Sequence, residues 1–385
     1  MLYADYNGSA PLLDSVKEHL RKRLDSSLFA NPNALHSLGQ KLHQGIEKCR
    51  SMIAQDLGAH PDQIYFNSGA SEGVSHIIGS VLINAPKDKR VVITSPVEHV
   101  VVLNTLKFYE QKFGFRIVYV GISPDGLVDI HDFESLLNKH KDELALITIM
   151  AANNETGVIQ PYKEIAKLSH QYGVDYFSDT TQLIGKGDFH FEESGIDYGV
   201  CSGHKIGALS GSGFILVKDV TKLTPYIFGS TQENGVRGGT QNYLGIETLA
   251  VAVRDFTQNK NKLVQLEAAR KEFEARLKKE VPQSVIIGEG APRLAGTTLI
   301  GFPGVHGQAV LIELESHNIF VTTSAACSDN EPETSAVLKA MGVSDQIGRS
   351  VIRISLSYQN EPKDYAYLAE KLISTYNKLN RIHSY

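Results

Sequence analysis

The chain has 385 residues, of which 42% are hydrophobic and 21% charged, and its formal net charge is −5. This is an ordinary globular composition, and the length predicts two domains, or one large domain with a smaller one attached. The negative balance and the lack of a basic block argue against nucleic-acid binding. No apolar run approaches the length of a membrane span, and the first residues lack the pattern of a secretion signal.

The first two-thirds of the chain alternate between short apolar segments and helical patterns. The predicted strands are 63–67, 90–94, 144–149, 174–177, 198–201 and 213–217, and a helix is predicted over 70–82. This alternation is typical of an α/β fold with a mostly parallel sheet and helices on both faces. In such sheets the functional loops follow the carboxyl ends of the strands.

The composition changes near residues 258–262, where a polar stretch leads into a charged helix. Two further predicted strands, 296–301 and 351–356, precede a last helix from Pro362 to about Asn380. These elements predict a smaller α+β domain. We therefore expect a large domain over residues 13–257 and a small domain formed by residues 1–12 and 258–385.

The three cysteines, Cys49, Cys201 and Cys327, form no Cys-x-x-Cys pair. So sparse and odd a set argues for a reducing, cytoplasmic location, and against disulfides or a cysteine-rich metal site. Cys49 lies in a helical pattern and Cys201 in a strand, so both are expected to be buried. Cys327 is followed by a polar, loop-like stretch, where a thiol is available for chemistry.

Polar side chains follow several of the predicted strands. Lys205 comes after strand 198–201, Asp179 after strand 174–177 and His99 after strand 90–94. Each has an ordinary alternative explanation, as a solvated loop lysine, a turn aspartate or a loop histidine. Together with the Cys327 thiol, however, a lysine and an acid are what a pyridoxal phosphate (PLP) enzyme acting on sulfur needs.

Two more segments favour binding of anions. Residues 66–72 form a predicted strand, a turn of small residues and a helix start, which suits a phosphate but is also ordinary capping chemistry. Arg353 lies on a predicted strand between β-branched apolar residues. A guanidinium there needs a carboxylate partner, which is either that of a substrate or an internal Asp or Glu.

In combination, these segments resemble the cysteine desulfurases, a branch of the class V aminotransferase superfamily with PLP fold type I. The resemblance covers nearly the whole chain. It is carried, in order, by residues 3–11, 31–36, 69–72, 153–157, 179–182, 202–205 and 237–240, the Cys327 loop and the Arg353 strand.

The resemblance implies a role for each matching position. Lys205 would bind PLP covalently and move the α-proton, and His99 would stack on the cofactor ring. Asp179 would pair with the pyridinium nitrogen, and Gln182 would bond the ring hydroxyl. Cys327 would attack the sulfur of PLP-bound L-cysteine, which yields L-alanine and an enzyme persulfide.

The remaining implied roles concern the phosphate, the substrate and the partners. The residues that would hold the phosphate are Ala70, Ser71, Ser202 and His204, with Thr240 reaching the cofactor of a neighbouring subunit in a homodimer. Asn154 would contact both cofactor and substrate, and Arg353 would bind the substrate carboxylate. The persulfide sulfur would pass to an acceptor or scaffold protein that serves iron–sulfur clusters, thio-cofactors or thiolated RNA.

Departures from the family pattern leave the substrate and the sulfur acceptor open. Ser71 replaces a threonine, Asn234 an arginine and Gly238 a serine. The alternatives are a selenocysteine lyase, a cysteine sulfinate desulfinase or an aminotransferase, and a binding scaffold for sulfur-transfer proteins. An aminotransferase has no need of Cys327, and a scaffold has no need of Lys205 and Asp179.

Overall fold

The computed structural model describes residues 1–324 and 334–382. The strands in this part of the chain are β1 Leu2–Tyr3, β2 Ile64–Asn67, β3 Val91–Thr94, β4 Arg116–Tyr119, β5 Leu144–Thr148, β6 Tyr176–Ser178, β7 Tyr198–Ser202, β8 Gly213–Val217, β9 Val285–Ile286, β10 Thr297–Gly301, β11 Ile319–Phe320 and β12 Val351–Ser355. The α-helices are α1 Asp14–Asp25, α2 Ser37–Leu57, α3 Ala70–Asn84, α4 Val100–Phe113, α5 Ile130–His140, α6 Tyr162–Gln171, α7 Phe191–Ser194, α8 Tyr243–Asn259, α9 Lys262–Glu280, α10 Gly307–Ser316, α11 Ala336–Ala340, α12 Asp345–Gly348 and α13 Pro362–Ile382.

A seven-stranded sheet forms the centre of the fold, in the order β2-β8-β7-β6-β5-β3-β4. Neighbours from β4 to β7 are parallel, whereas β8 runs antiparallel to both β7 and β2. Separate clusters of buried apolar side chains contain the residues of the two sheet faces, which explains the nearly continuous apolar strands. The predicted α/β fold with a mostly parallel sheet is confirmed.

The predicted strands agree with the observed ones to within one or two residues at their ends. Strand β4 was not predicted, because its residues alternate little and it lies exposed at one edge of the sheet. The antiparallel direction of β8 was not predicted either. It follows from pairing across the sheet, which the sequence of the strand does not record.

A second group of elements follows α8. Strands β12, β10 and β9 form an antiparallel sheet, and helices α9 and α13 pack against each other. A separate apolar cluster unites these elements with Ala4, while β1 pairs in parallel with β11. These features support the division into 13–257 and 1–12 with 258–385, which stays a prediction.

The direction of the strands brings several loops to one edge of the large sheet. Strands β2, β3, β5, β6 and β7 all end there, and Gly213, the first residue of β8, pairs with both Asn67 and Ser202. Every strand followed by a predicted site residue therefore delivers that residue to the same edge. Within residues 1–324 and 334–382, no helix is both long and apolar enough to cross a membrane.

Candidate active site

Lys205 lies at this edge, at the end of a 3₁₀ turn (Gly203–Lys205) that directly follows β7. Its Nζ donates hydrogen bonds to the main-chain oxygens of Asn7, at 2.9 Å, and Gly8, at 2.6 Å. Asn7 itself is buried, and its main-chain N–H donates to Ser355 Oγ at 2.9 Å. The N-terminal segment therefore fixes the amino group of Lys205 at the sheet edge.

His99 caps helix α4, where its Nδ1 accepts a hydrogen bond from the Val101 N–H at 3.2 Å. Burial lowers the pKa of His99, Asp179 raises it and Lys205 lowers it, with a net decrease. The imidazole is therefore held neutral near pH 7, with its proton on Nε2. Because both charges act on this ring, His99, Asp179 and Lys205 belong to one site.

Asp179 follows β6 and is 7% exposed. Its Oδ1 accepts a hydrogen bond from the Thr181 N–H at 2.9 Å, and its main-chain oxygen accepts one from Ala151 N–H at 3.0 Å. Both the backbone and the carboxylate of Asp179 are thus fixed. A rigid, poorly solvated carboxylate at this position is suited to pair with a protonated ring nitrogen.

Gln182 joins the same N-terminal segment. Its Nε2 donates to the main-chain oxygen of Asn7 at 3.0 Å, and its Oε1 accepts from Lys186 Nζ. Gln182 and Lys205 thus share one acceptor, the oxygen of Asn7. Lys186 was not singled out from the sequence, although its spacing of four residues from Gln182 was a signal for contact.

Close backbone contacts shape the turn before α3. Gly69 has φ +145°, and a Cβ there would lie 3.2 Å from Ser202 Oγ. A Cβ on Gly213 would lie 2.6 Å from Gly69 Cα, so glycine is required where these backbones meet. The first N–H groups of the 15-residue helix, with the side chains of Ser71 and Ser202, fit a phosphate.

Glu72, in the first turn of α3, ties the residue before the N-cap Gly69 to Arg237, and no side chain of the described residues caps the helix itself. Its Oε2 accepts from the Ser68 N–H at 3.0 Å and from Ser68 Oγ at 2.5 Å, and its Oε1 accepts from Arg237 Nε at 2.9 Å. Burial raises the pKa of Glu72, but the Arg237 and Ser68 bonds outweigh it and the pKa is lowered. Thr240, three residues after Arg237, is exposed and lines a cavity with Ser68 and Arg237.

His204 contacts the N-terminal segment. Its Nδ1 is 3.2 Å from Ser9 Oγ. Burial, Lys205 and Lys186 together lower the pKa of His204 to about 4. A neutral imidazole that retains one N–H can donate a hydrogen bond to a phosphate without adding charge.

The sequence left open whether Arg353 pairs with a substrate carboxylate or with an internal Asp or Glu. In the structure Arg353, on β12, has an internal partner. Its Nη2 donates to Asp5 Oδ1 at 2.7 Å and its Nη1 donates to the main-chain oxygen of Asn154 at 3.0 Å. Its Nε is buried without a partner within the part of the chain that the structure describes. Asp5 belongs to segment 3–11, one of the segments that carry the family resemblance. Its pairing with Arg353, 348 positions away in the chain, was not predicted.

Cys327 lies outside the described residues. Cys201 is fully buried, as predicted, and burial raises its pKa; Cys49 is only partly buried, and burial raises its pKa to about 12. Neither of these thiols is a thiolate near neutral pH. They are therefore unsuited to nucleophilic attack.

The structure thus collects five of the twelve predicted site residues around the segment Asp5–Ser9. Lys205, Gln182 and His204 contact this segment directly, as do Arg353 and the backbone of Asn154. Asp179 and Lys205 both act on the pKa of His99, so these three side chains lie near one another. The side chain of Thr240 instead faces the exposed cavity beside Arg237.

Comparison with known proteins agrees with this geometry. The family model described as aminotransferase class-V matches residues 2–368. The chain belongs to the class-V aminotransferase family. Within this family it belongs to the cysteine desulfurases, since it is 32% identical to cysteine desulfurase IscS of Dictyoglomus turgidum over 100% of this chain and 96% of that protein. It is also 30% identical to a cysteine desulfurase of Enterobacter agglomerans, over 100% and 94% of the two chains.

Solved structures share the fold over 92% to 98% of this chain. A NifS-like protein superposes with a TM-score of 0.89 at 31% identity, covering 98% of this chain and 100% of that one. A NifS-like protein from Rickettsia africae gives 0.86 at 31% identity, with 98% and 99% covered. SspA, solved in complex with cysteine, gives 0.79 at 31% identity, with 92% and 99% covered. The predicted fold type is therefore confirmed.

Two departures of this class-V aminotransferase from the desulfurase pattern have a structural explanation. Glu233 and Asn234 have φ of 48° and 54°, and asparagine tolerates this left-handed conformation better than most residues. Gly238 packs directly on Gly229, and a Cβ at position 238 would lie 2.6 Å from the Gly229 backbone. The glycine in place of serine is thus required by this local packing.

Proposed function

We propose that this cysteine desulfurase uses PLP bound to Lys205 to remove sulfur from L-cysteine, and that Cys327 accepts the sulfur as a persulfide. The observation that carries the proposal is the convergence of Lys205, Asp179 and His99 on one sheet edge, beside Arg353 held by Asp5. Family membership and the resemblance of the motifs support the same reaction.

The residues present fit PLP. Lys205 offers an amine and Asp179 a fixed carboxylate, while the glycine-lined start of α3 with Ser71 and Ser202 accommodates a phosphate. His99 presents a neutral ring near both charged groups. When bound, PLP acts as an electron sink for the Cα and Cβ of the amino acid.

The protein's own residues move the protons and hold the substrate. Lys205 would take the α-proton of the bound amino acid, and neutral His99 would exchange a proton near neutral pH. Asp179 would keep the ring nitrogen of bound PLP protonated, because a carboxylate beside that nitrogen favours its charged form. Arg353 would bind the substrate carboxylate. The main-chain oxygen of Asn154 and the carboxylate of Asp5 fix its guanidinium.

The sulfur step uses the thiolate of Cys327. Its sulfur attacks the substrate sulfur, so an S–S bond forms and the Cβ–S bond breaks. The electron pair of the broken bond stays on Cβ, which takes up a proton and becomes the methyl group of alanine. Since burial keeps Cys49 and Cys201 protonated, the described part of the chain offers no thiol better suited than Cys327.

We further propose that the working unit is a homodimer, in which Thr240 reaches the neighbouring subunit's cofactor. The exposure of Thr240 beside the Glu72–Arg237 ion pair supports this role. The persulfide would then pass to an acceptor or scaffold protein of iron–sulfur or thio-cofactor synthesis in the cytoplasm. Relatives named cysteine desulfurase IscS support the removal of sulfur from cysteine that this transfer requires.

The test measures sulfide and alanine release from L-cysteine with a thiol reductant, for wild type, Cys327→Ala and Lys205→Ala. We expect wild-type turnover, its loss in Cys327→Ala with the yellow PLP band intact, and loss of the band in Lys205→Ala. Cys49→Ala is the matched control and should retain turnover.

Three outcomes would contradict the proposal. A colourless wild-type protein would favour a binding scaffold. A yellow protein inert toward cysteine would redirect the assay to selenocysteine, cysteine sulfinate and amino-transfer substrates. Undiminished turnover in Cys327→Ala would remove that thiol from the reaction.

A further inference from the structure

Glu98 is a buried acid beside the site, with no part in the reaction proposed above. The residue is 4% exposed, and its Oε1 accepts hydrogen bonds from Ser95 Oγ at 2.6 Å and from the Met150 N–H at 2.8 Å. Its Oε2 is buried without a hydrogen-bond partner in the part of the chain that the structure describes. Acids are almost never fully buried unless they are paired, so this carboxyl calls for an explanation.

The two bonds of Oε1 join the loops that follow β3 and β5. Ser95 is the first residue after β3, and Met150 is the second residue after β5. Val97, which precedes Glu98, adds a third connection, because its main-chain oxygen accepts a hydrogen bond from Asn153 Nδ2 at 3.0 Å. Strands β3 and β5 are parallel neighbours and end side by side, so these bonds hold the two loops together at the active-site edge of the sheet.

Each of the joined loops leads to a residue of the candidate site. His99 directly follows Glu98 and is the N-cap of α4. On the other loop, the N–H of Ala151 donates a hydrogen bond to the main-chain oxygen of Asp179 at 3.0 Å. Glu98 is therefore one residue from His99 and, through the backbone of Met150 and Ala151, one further hydrogen bond from the backbone of Asp179.

The surroundings of Glu98 favour its uncharged form. The titratable groups that face it are Asp179, which follows β6, and Tyr176, on β6, while His99 is its neighbour in the chain. Burial raises the pKa of Glu98 to about 8; the two hydrogen bonds to Oε1 oppose this effect, and Asp179 adds to it. The proton belongs on Oε2, since Oε1 accepts both bonds. An ionised Glu98 would instead place a second negative charge near Asp179.

We propose that Glu98 is a positioning residue for His99: its carboxyl fastens the loop before α4 to the loop after β5, and so fixes the imidazole relative to Asp179. The uncharged carboxyl serves this purpose because it keeps both bonds of Oε1 and adds no negative charge near Asp179. This role deepens the proposed function and rests on it, since His99 takes part in the reaction only when PLP is bound. It assigns Glu98 no contact with the substrate or with the reacting atoms.

The experiment measures the pKa of His99 by NMR, on the full-length, cofactor-free protein with isotope-labelled histidine rings. Glu98→Leu removes the acceptor at similar size, Glu98→Gln keeps an acceptor oxygen without a charge, and Glu164→Leu, exposed on α6, is the matched control. The signal of His99 is identified by its loss in His99→Asn.

Burial lowers the pKa of His99, so release of its loop into water should raise that pKa toward the usual value of 6.5. We expect an increase of about half a unit or more in Glu98→Leu. Glu98→Gln and Glu164→Leu should keep the wild-type pKa of His99. Ser95→Ala, a milder change that removes one bond to Glu98, should raise it by less than Glu98→Leu does.

The same titration tests the charge state of Glu98. In wild type, ionisation of Glu98 should add a second, smaller step to the His99 signal at a pH of about 8. The step should be absent in Glu98→Gln, which has no proton to lose. A wild-type curve without the step would contradict the uncharged form near neutral pH.

Turnover of L-cysteine by the PLP-loaded enzyme gives a second measure. We expect kcat/KM in Glu98→Leu to lie about tenfold or more below that in Glu98→Gln, because a displaced proton-transfer group slows the reaction. Glu164→Leu should match wild type.

Two results would overturn the role of Glu98. One is a wild-type pKa of His99 in both Glu98→Leu and Ser95→Ala; if Glu98→Leu does not fold, an unchanged pKa in Ser95→Ala is sufficient. The other is an equal increase in Glu98→Gln and Glu98→Leu, because the carboxamide preserves the acceptor for Ser95 and Met150. Failure of the proposed function is seen separately, as a wild type that neither binds PLP nor turns over L-cysteine, since the NMR titration needs no cofactor.

Discussion

Arg353 and Asp5 form an ion pair that joins the two ends of the chain at the active site. Arg353 Nη2 donates to Asp5 Oδ1 at 2.7 Å, and the two side chains are 7% and 25% exposed. The pair fixes the N-terminal segment, whose next residues, Asn7 and Gly8, bind Lys205. The guanidinium that would bind the substrate and the amine that would bind the cofactor are therefore positioned by one short stretch of sequence.

Asp5→Asn should destabilise the protein by about 2 kcal/mol, because it leaves the buried Arg353 without a counter-charge. The measurement is the free energy of unfolding from urea denaturation. Asp14→Asn is the control, since the Asp14–Lys17 pair is exposed and contributes little. Equal effects of the two substitutions would show that the Asp5–Arg353 pair contributes no more than a surface pair.

Arg353→Lys should raise the KM for L-cysteine by about tenfold or more and change kcat less. Lysine keeps the charge but loses the planar, two-pronged donor that matches a carboxylate. Steady-state kinetics on the PLP-loaded enzyme measure this effect. Arg276→Lys, in the exposed Arg276–Glu280 pair, is the control and should leave KM unchanged. A fall in kcat with constant KM would place Arg353 in a step other than carboxylate binding.

The buried carboxyl of Glu98 should make the free energy of unfolding depend on pH. It is fully buried beside the site, its Oε1 accepts from Ser95 Oγ at 2.6 Å and from the Met150 N–H at 2.8 Å, and burial raises its pKa to about 8. Because the folded state binds this proton more tightly than the unfolded state, its contribution is complete below the unfolded pKa, near 4.5. The contribution is then lost as the pH rises toward 8, by at most about 1.4 kcal/mol per pH unit.

Glu98→Gln should remove this part of the pH dependence, since a carboxamide resembles the protonated acid in shape and carries no charge. The free energy of unfolding is measured from pH 5 to pH 9 for both proteins. We expect the variant to gain on wild type as the pH rises, and the exposed Glu164→Gln control to run parallel to wild type. Parallel curves for Glu98→Gln would mean that Glu98 is ionised throughout.

Gly238→Ser, which restores the usual desulfurase residue, should destabilise this protein by about 1–3 kcal/mol. The new Cβ would lie 2.6 Å from the backbone of Gly229, which has no flexible side chain to give way. Thermal unfolding measures the effect. Gly45→Ser, in α2 with open space around it, is the control and should change stability by less than about 1 kcal/mol. An unchanged melting temperature for Gly238→Ser would show that this loop readily moves.

The sequence alone determined the fold class and most of the candidate residues. Short apolar strands alternating with helical patterns require a sheet covered on both faces, and residues that follow parallel strands must meet at one edge. Lys205, Asp179 and His99 could therefore be placed together before any coordinates. The direction of β8 and the edge strand β4 could not, because strand pairing depends on partners distant in sequence.

Only the tertiary structure decided which groups complete the site. Three examples are the pairing of Asp5 with Arg353, the contacts of Asn7 with Lys186 and Lys205, and the bonds that Glu72 accepts from Ser68 and Arg237. Each unites residues that are separated by up to 348 positions, or whose charge state depends on burial rather than on residue type. Sequence patterns record the spacing along the chain, whereas pKa values and hydrogen-bond partners are set by what surrounds a group in space.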